Sequence, residues 1–414
     1  MKDYARIAKK ITAVLFLVQS LSSAGFIAAF TVNALVGVEL SGQQSMAGIP
    51  ETVRVLGQAL ASLAWGYTME RIGRRRSLAM GQVVGVIGSG IAGAAIIARS
   101  FPVFLLGMAL MGMARASADL GRFAAAEVHL PTERGRAISN VVLGGTVGSI
   151  VGPLLVGPTG HWSFGAGFPE LAGPYSVGFL FWGVAAILVF TGLRPDPRDV
   201  GTELARLNPS AVPNLDRTRA LTEILMQPGV IVAIVAVVFA QMIMVMLMVM
   251  TSVHMRMHEH PLTAVSLVIS VHTLGMYAFS IISGRLTDRW GRGPMIIIGS
   301  GLLILSCLMA APSASLVSLA IALYLLGLGW NFAYVAGSTL LSDELSPTER
   351  AKTQGFNDLM LGVASATGSF GGGMMFAASG YWSLGLTGAL VALVPLGLAV
   401  WWQARRRLAP SAHT

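Results

Sequence analysis

A chain of 414 residues with 54 % hydrophobic and 11 % charged side chains, and a mean hydropathy of +0.70, is too apolar for a string of soluble domains. Apolar runs of about 20 residues recur along its whole length, each able to cross a hydrocarbon core of roughly 30 Å as a helix, so composition alone specifies an all-α, multi-pass protein of the lipid bilayer. The net charge of +9 does not imply a nucleic-acid partner, because Lys and Arg sit in short clusters between apolar runs.

The clusters fall on alternate connections. Lys2, Arg6, Lys9 and Lys10 open the chain. Arg71, Arg74, Arg75 and Arg76 follow, then Arg134 and Arg136, the stretch from Arg194 to Arg219, Arg289 and Arg292, Arg350 and Lys352, and Arg405, Arg406 and Arg407. The intervening connections hold only Arg54, Arg99 and Arg256. Cationic loops stay on the cytoplasmic side, so both termini are expected in the cytoplasm and the chain in the inner cell membrane. The apolar stretch from Ile11 is long and lacks a convincing cleavage site, so it reads as a retained first helix.

Twelve spans are expected, near 11–36, 46–68, 77–98, 101–126, 137–157, 175–193, 229–252, 262–284, 294–312, 314–342, 354–379 and 383–403. The longest polar segment, 194–228, is rich in Pro and charge and reads as a cytoplasmic linker between a first half, 1–193, and a second, 229–414.

The second span ends in Gly66-Tyr-Thr-Met-Glu70-Arg71-Ile-Gly73-Arg74. Gly66 suits close helix approach, the acid suits a neighbouring helix N-terminus, and the arginines suit the headgroup level. The fourth span carries Arg115 and Asp119 one turn apart, with Arg122 and Glu127 beyond them. Opposite charges in mid-membrane are either a structural ion pair or a coupling site for protons. In the fifth span, Gly148, Gly152 and Gly157 offer small surfaces for tight packing and Pro153 can bend the helix. Gln19, Gln58 and Tyr334 are further cavity candidates.

The seventh span contains Met242, Met244, Met246, Met248 and Met250, every second residue a methionine. Residues i and i+4 share a helical face, so Met244 and Met248 point one way and Met242, Met246 and Met250 another. His272 and Met276 form the same pair on the eighth span. Counted from the hairpin between them, Met244 and His272 both lie roughly 12–15 Å down. Two thioethers facing an imidazole and a thioether make a soft site of the kind that takes Cu(I); methionine is equally an ordinary filler of apolar cores. The hairpin itself carries His254, Met255, Met257, His258 and His260, either an outer capture patch or a solvated loop.

Further along, Cys307 stands alone as a small packing residue. Trp330 and Asn331 in the tenth span line a cavity or satisfy a neighbouring helix. Asn357 and Asp358 lie near the expected start of the eleventh span, where an acid caps the helix, or where Asp358 serves as a coupling or cavity residue.

Two motifs recur. Gly284-Arg-Leu-Thr-Asp288-Arg289-Trp-Gly291-Arg292 repeats the loop at Gly66, displaced by 218 residues, and Pro347-Thr-Glu-Arg350 repeats Pro131-Thr-Glu-Arg134, displaced by 216. Nearly one offset, close to half the chain, marks duplicated halves in parallel orientation. The Gly-x-x-x-Asp/Glu-Arg-x-Gly-Arg loop resembles the signature of the major facilitator superfamily, the standard case of such a repeat, with Glu70 where Asp is more usual. The resemblance implies two six-helix halves with a site between them that opens by turns to each side. It also implies a gate at Gly66, Glu70, Arg71, Gly73 and Arg74 and at Gly284, Asp288, Arg289, Gly291 and Arg292. The chain holds no nucleotide-binding Gly-x-x-x-x-Gly-Lys loop, no nucleophilic triad and no zinc-type cysteine spacing, so an enzyme is not expected.

Met-x-x-x-Met on the seventh span with His-x-x-x-Met on the eighth is similar to the pattern of bacterial copper importers of that superfamily, which implies Met244, Met248, His272 and Met276 as metal ligands. Riboflavin importers look similar over the same helices. The expectation is thus a monomeric secondary transporter that imports copper as cargo, with no resident cofactor. The alternatives are import of riboflavin or another small organic solute, with Trp330 in its cavity, and a drug/proton exporter, to which the Gly148–Pro153 segment points.

Overall fold

The computed structural model describes residues 2–130, 133–207, 219–311 and 314–408. Every regular element among them is helical. That follows from the composition, since in lipid each backbone N–H and C=O must be satisfied inside its own segment.

The longer helices of the first half are α1 (Lys2–Ser41), α2 (Ile49–Ile72), α3 (Arg74–Ile97), α4 (Phe101–Glu127) and α5 (Arg134–Leu154). A short α6 (Val156–Gly165), α7 (Gly173–Gly192) and α8 (Pro197–Leu207) complete it. After α9 (Leu221–Leu225) come α10 (Pro228–Met257), α11 (Leu262–Tyr277), α12 (Ser280–Trp290), α13 (Arg292–Ala310), α14 (Leu316–Asp343) and α15 (Pro347–Leu408). The chain forms two compact units, Met1–Gln43 with Ile49–Pro213, and Gln44–Gly48 with Asn214–Thr414.

In the first unit α1 packs on α5 and α7, α3 on α4 and α7, and α2 on α4. The contact of α1 with α5 explains the small-residue stripe. A Cβ on Gly148 would strike the Ser20 carbonyl, and one on Gly152 would come within 2.6 Å of the Ala24 carbonyl. In the second unit α10 packs on α15 and α14, α13 on α14 and α15, and α11 on α14. Each unit has an apolar core at the end that bears its arginine loop. Ile11, Leu78 and Leu193 lie in the first, Ile296, Leu340 and Trp402 in the second.

Among the described residues ten helical segments are long and apolar enough to span a membrane, against the twelve expected. The second expected span exists as α2 but is too polar to count, because Glu51, Arg54, Gln58, Glu70 and Arg71 all lie on it. The eleventh and twelfth merge into α15, whose backbone leaves helical geometry at Gly380, φ 74°. The eighth is split into α11 and α12. At the break Asn331 of α14 donates to the Met276 carbonyl at 2.6 Å and to Ser280 Oγ at 2.9 Å. An inserted side chain that takes up a freed carbonyl is a recognised cause of such interruptions. Asn331 therefore serves a neighbouring helix.

The expected linker carries α8 and α9; residues 208–218, like Pro131 and Thr132 of the first repeated motif, lie outside the described residues. The capping role for Asn357 and Asp358 is overturned. The helix starts at Pro347, so both sit about three turns inside it, and Asp358 accepts from Gln354 Nε2 at 2.9 Å.

Candidate functional site

The two arginine loops are built alike, each within its own unit. Arg74 donates from Nε to Glu127 Oε2 at 2.9 Å and from Nη1 to the Met69 carbonyl at 2.7 Å. Arg292 donates from Nε to Asp343 Oδ2 at 2.8 Å and from Nη1 to the Thr287 carbonyl at 3.2 Å. Partner for partner, the second set repeats the first. These arginines reach the carboxylate that ends the fourth helix of each unit's repeat. Arg71 lies over the Tyr67 ring, 4.2 Å from its centroid, and Arg289 is exposed.

The glycines divide into two kinds. Gly73 and Gly291 adopt φ of +89° and +95°, where an L side chain is strained. Within its own unit, a Cβ at Gly66 or Gly284 would meet nothing within 4 Å. Glu70 is exposed, and the N-terminus of α3 takes its carboxylate from elsewhere. Asp196 accepts from the backbone N–H of Arg74 at 3.1 Å and of Arg75 at 3.0 Å. Asp288 pairs with Arg292 at 3.4 Å. The repeated Glu349 is buried and clamped by Arg219, whose Nε and Nη2 both donate to it at 2.7 Å, which holds its carboxyl well below the usual carboxylate range.

Of the methionines, Met242 and Met246 face α15. A Cβ on Gly368 would lie 2.6 Å from the Met242 carbonyl, and one on Gly372 would lie 3.1 Å from Met246 Cγ. Met244 and Met248 therefore point away from α15, and both are buried. His272 is fully buried in the contact of α11 with α14, where Nδ1 donates to the Leu323 carbonyl at 2.8 Å. That bond leaves Nε2 as the free ring nitrogen, buried and without a hydrogen-bond partner. Met276 is buried one turn on.

The hairpin patch is only partly assembled. His254 stacks on Tyr381 with centroids 4.3 Å apart and has the His258 ring at 4.4 Å. His260 turns away to the Ala314 carbonyl at 2.8 Å. Met255 is buried, whereas Met257 is exposed and accepts from Gln44 Nε2 at 3.6 Å. Among the described residues no group of three or more His, Cys, Asp or Glu side chains is arranged to hold a metal ion.

Trp330 belongs to an aromatic cluster. Its ring stacks on Tyr334 with centroids 4.7 Å apart and meets Tyr277 edge-on at 6.2 Å. Its Nε1 donates to Gln241 Oε1 at 2.9 Å, and Gln241 Nε2 donates to Ser365 Oγ at 2.9 Å. Sequence reasoning found Trp330 but missed Gln241, which no spacing marks.

The first unit holds the densest polar set. Arg115 Nε pairs with Asp119 Oδ1 at 3.1 Å, and Asp119 Oδ2 accepts from Gln58 Nε2 at 3.3 Å. Gln58 Oε1 accepts from Arg54 Nη1 at 2.7 Å, and Arg54 is bidentate on Glu51 at 2.9 and 2.7 Å. Glu51 and Arg54 were missed as site residues, because Arg54 read as a stray loop charge. The signal was present: Glu51, Arg54 and Gln58 recur at helical spacing inside an otherwise apolar segment.

Comparison with known proteins agrees with this architecture. The chain is 35 % identical over 95 % of its length to YddS, an uncharacterised MFS-type transporter of Bacillus subtilis, covering 91 % of that protein. It is 32 % identical over 94 % of its length to the riboflavin transporter RfnT of Brucella anthropi, covering 95 % of it. In fold it matches the crystal structure of a D-xylose–proton symporter, with a TM-score of 0.70 at 19 % identity over 93 % of this chain and 96 % of that one. The family model of the Major Facilitator Superfamily matches residues 15–260 and 233–414, so the chain, an integral membrane protein built as a transporter and not as an enzyme, belongs to that superfamily.

Proposed function

We propose that this protein is a secondary transporter that imports a small organic solute, riboflavin or a planar heterocycle like it, across the inner membrane, with both termini in the cytoplasm. The observation that carries the reading is the Tyr277–Trp330–Tyr334 cluster. Aromatic rings with an amide fixed beside them suit a flat conjugated ligand, which stacks in offset or edge-on geometry and needs few directional polar contacts. Gln241, held between Trp330 Nε1 and Ser365 Oγ, provides such a polar group. The full-length likeness to RfnT supports the same class of cargo. Trp330→Ala should lower the initial rate of labelled riboflavin uptake about two- to tenfold, the loss of roughly one stacking contact, with Trp330→Phe recovering part of it. Uptake unchanged in Trp330→Ala would remove this cluster from the cargo site.

Copper import remains the second reading, favoured by one observation: the buried, unpartnered Nε2 of His272, with Met244, Met248 and Met276 buried on the same two helices. It predicts that Met244→Leu and His272→Leu each abolish copper accumulation. The organic-solute reading predicts that both leave riboflavin uptake within about twofold of the parent.

A further inference from the structure

The cations near the arginine loop of the first unit fall into two groups. Arg74 is bound to Glu127, as in the second unit Arg292 is bound to Asp343 and Arg219 to Glu349. Lys10, Arg75 and Arg194 are not: among the described residues none of the three forms an ion pair with a carboxylate. They gather instead at one aromatic ring. Arg75 of α3 lies over the Phe190 ring of α7 with Cζ 5.2 Å from its centroid, and Arg194, just past the end of α7, lies 5.8 Å from the same centroid. Lys10 of α1 donates from Nζ to the Arg194 carbonyl at 3.3 Å. Three separate segments of chain bring three positive charges together.

The acid that follows Arg194 in the chain is engaged elsewhere. Asp196 accepts from the backbone N–H groups of Arg74 at 3.1 Å and of Arg75 and Arg198 at 3.0 Å, so its charge closes the N-terminus of α3. Contact with a ring face positions a guanidinium without neutralising it, and its N–H fork stays available to an oxyanion. An unpaired arginine standing free in solvent would carry no such implication. Two held over one ring do.

That ring lies on an outer surface of the bundle. Phe190 is 51 % exposed although it sits in the last turn of a helix long and apolar enough to span the membrane. One turn deeper, Ile187 is 63 % exposed, and Val184 beyond it is exposed too. α3 packs directly beside α7: a Cβ on Gly85 would lie 2.6 Å from the Trp182 ring, and one on Gly90 3.3 Å from the Phe179 ring. Its Val83 and Ile87 are likewise exposed. The paired helices carry an apolar outer surface that ends at the three cations, the order in which a phospholipid carries its acyl chains and its phosphate.

We infer that Lys10, Arg75 and Arg194, gathered around Phe190, form a site for the headgroup phosphate of an anionic glycerophospholipid, whose acyl chains run along α3 and α7. With both termini in the cytoplasm, as proposed above, this end meets the leaflet whose surface carries negative potential, and basic pockets between spanning helices on that side hold anionic head groups. A zwitterionic headgroup brings an ammonium of its own, which the three cations repel. The site is independent of the cargo.

The test reads the lipid at the site itself. The full chain, with p-benzoylphenylalanine in place of Phe190, is reconstituted in nanodiscs of equal parts phosphatidylglycerol and phosphatidylcholine with matched acyl chains. It is illuminated, and the cross-linked lipid is identified by mass spectrometry. Phosphatidylglycerol is expected in about tenfold excess. Each cation near an anionic headgroup contributes about fivefold in affinity, so Arg75→Gln with Arg194→Gln brings the ratio close to one. Arg75→Lys with Arg194→Lys keeps most of the excess, because the charges remain. The same probe in place of Leu267, an exposed residue of α11, returns the lipids in the proportion of the bilayer. A ratio near one in the parent, an equal excess at Leu267, or an excess that survives the double Gln variant overturns the inference. So does an excess that inorganic phosphate abolishes, which would assign the cations to a soluble anion.

Discussion

Gly66 and Gly73 share one loop, yet only Gly73 has a backbone conformation that calls for glycine. Its φ is +89°, and a Cβ there would sit 2.7 Å from Asp196 Oδ2, in the carboxylate that closes the N-terminus of α3. Gly73→Ala should therefore cost about 1–2 kcal/mol of backbone strain and lower the thermal unfolding midpoint of the detergent-purified protein. Gly66→Ala, with open space around its Cβ, should leave that midpoint unchanged. A family motif names both glycines without distinguishing them, and only the dihedral angles and the neighbouring carboxylate separate them. The same holds for the methionines. Their alternation gives the two faces, but it takes the position of α15 against Met242 and Met246 to tell which face packs on it. Gln241 was illegible for a related reason: a lone Gln in an apolar run acquires meaning only from the indole that meets it.

At the scale of elements, helices were legible almost everywhere because long apolar runs have no other solution in lipid. Their interruptions were not. The break between α11 and α12 depends on Asn331, some fifty residues downstream in sequence, reaching the Met276 carbonyl. Asn331→Leu leaves that carbonyl buried and unpaired, which should cost about 1–3 kcal/mol and show as reduced thermal stability, with Asn331→Gln or Asn331→Ser recovering part of it. The start of α15 was misplaced because Glu349 already serves as its first-turn acid and has its own partner in Arg219. The arginine holds the Glu349 carboxyl below the ordinary carboxylate range. The pair's stabilisation is therefore complete above the ordinary carboxylate pKa and is lost progressively as pH falls from there through the depressed value. Unfolding midpoints of the parent and of Glu349→Gln should then differ by the same amount at pH about 7 and about 5, and the difference should shrink as pH falls below the ordinary carboxylate pKa of about 4.3; a difference that stays constant down to pH about 3 would show that the carboxyl is not held low.

For the molecule as a whole, duplication was the most legible feature, since two motifs at one offset need no structure to be seen. What the structure adds is that the duplicated halves repeat their bonds as well as their letters. Arg74 with Glu127 and Met69 corresponds to Arg292 with Asp343 and Thr287. If both sets serve one gate, Glu127→Gln and Asp343→Asn should each reduce transport, by factors within about threefold of each other, while the purified proteins stay folded. A large loss from one and none from the other would assign the gate to a single half. The halves diverge in their interior side chains: charged and polar in the first, around Asp119, and aromatic and sulfur-rich in the second, around Trp330 and His272. The central proposal is that the second half binds a flat organic solute. The direct measurement is uptake of labelled riboflavin, alongside radiolabelled copper, into lipid vesicles containing the purified protein, compared with protein-free vesicles. Saturable riboflavin uptake that Trp330→Ala impairs and a copper chelator leaves intact is the predicted result. Riboflavin uptake no greater than in protein-free vesicles, with copper entering in its place, would contradict it.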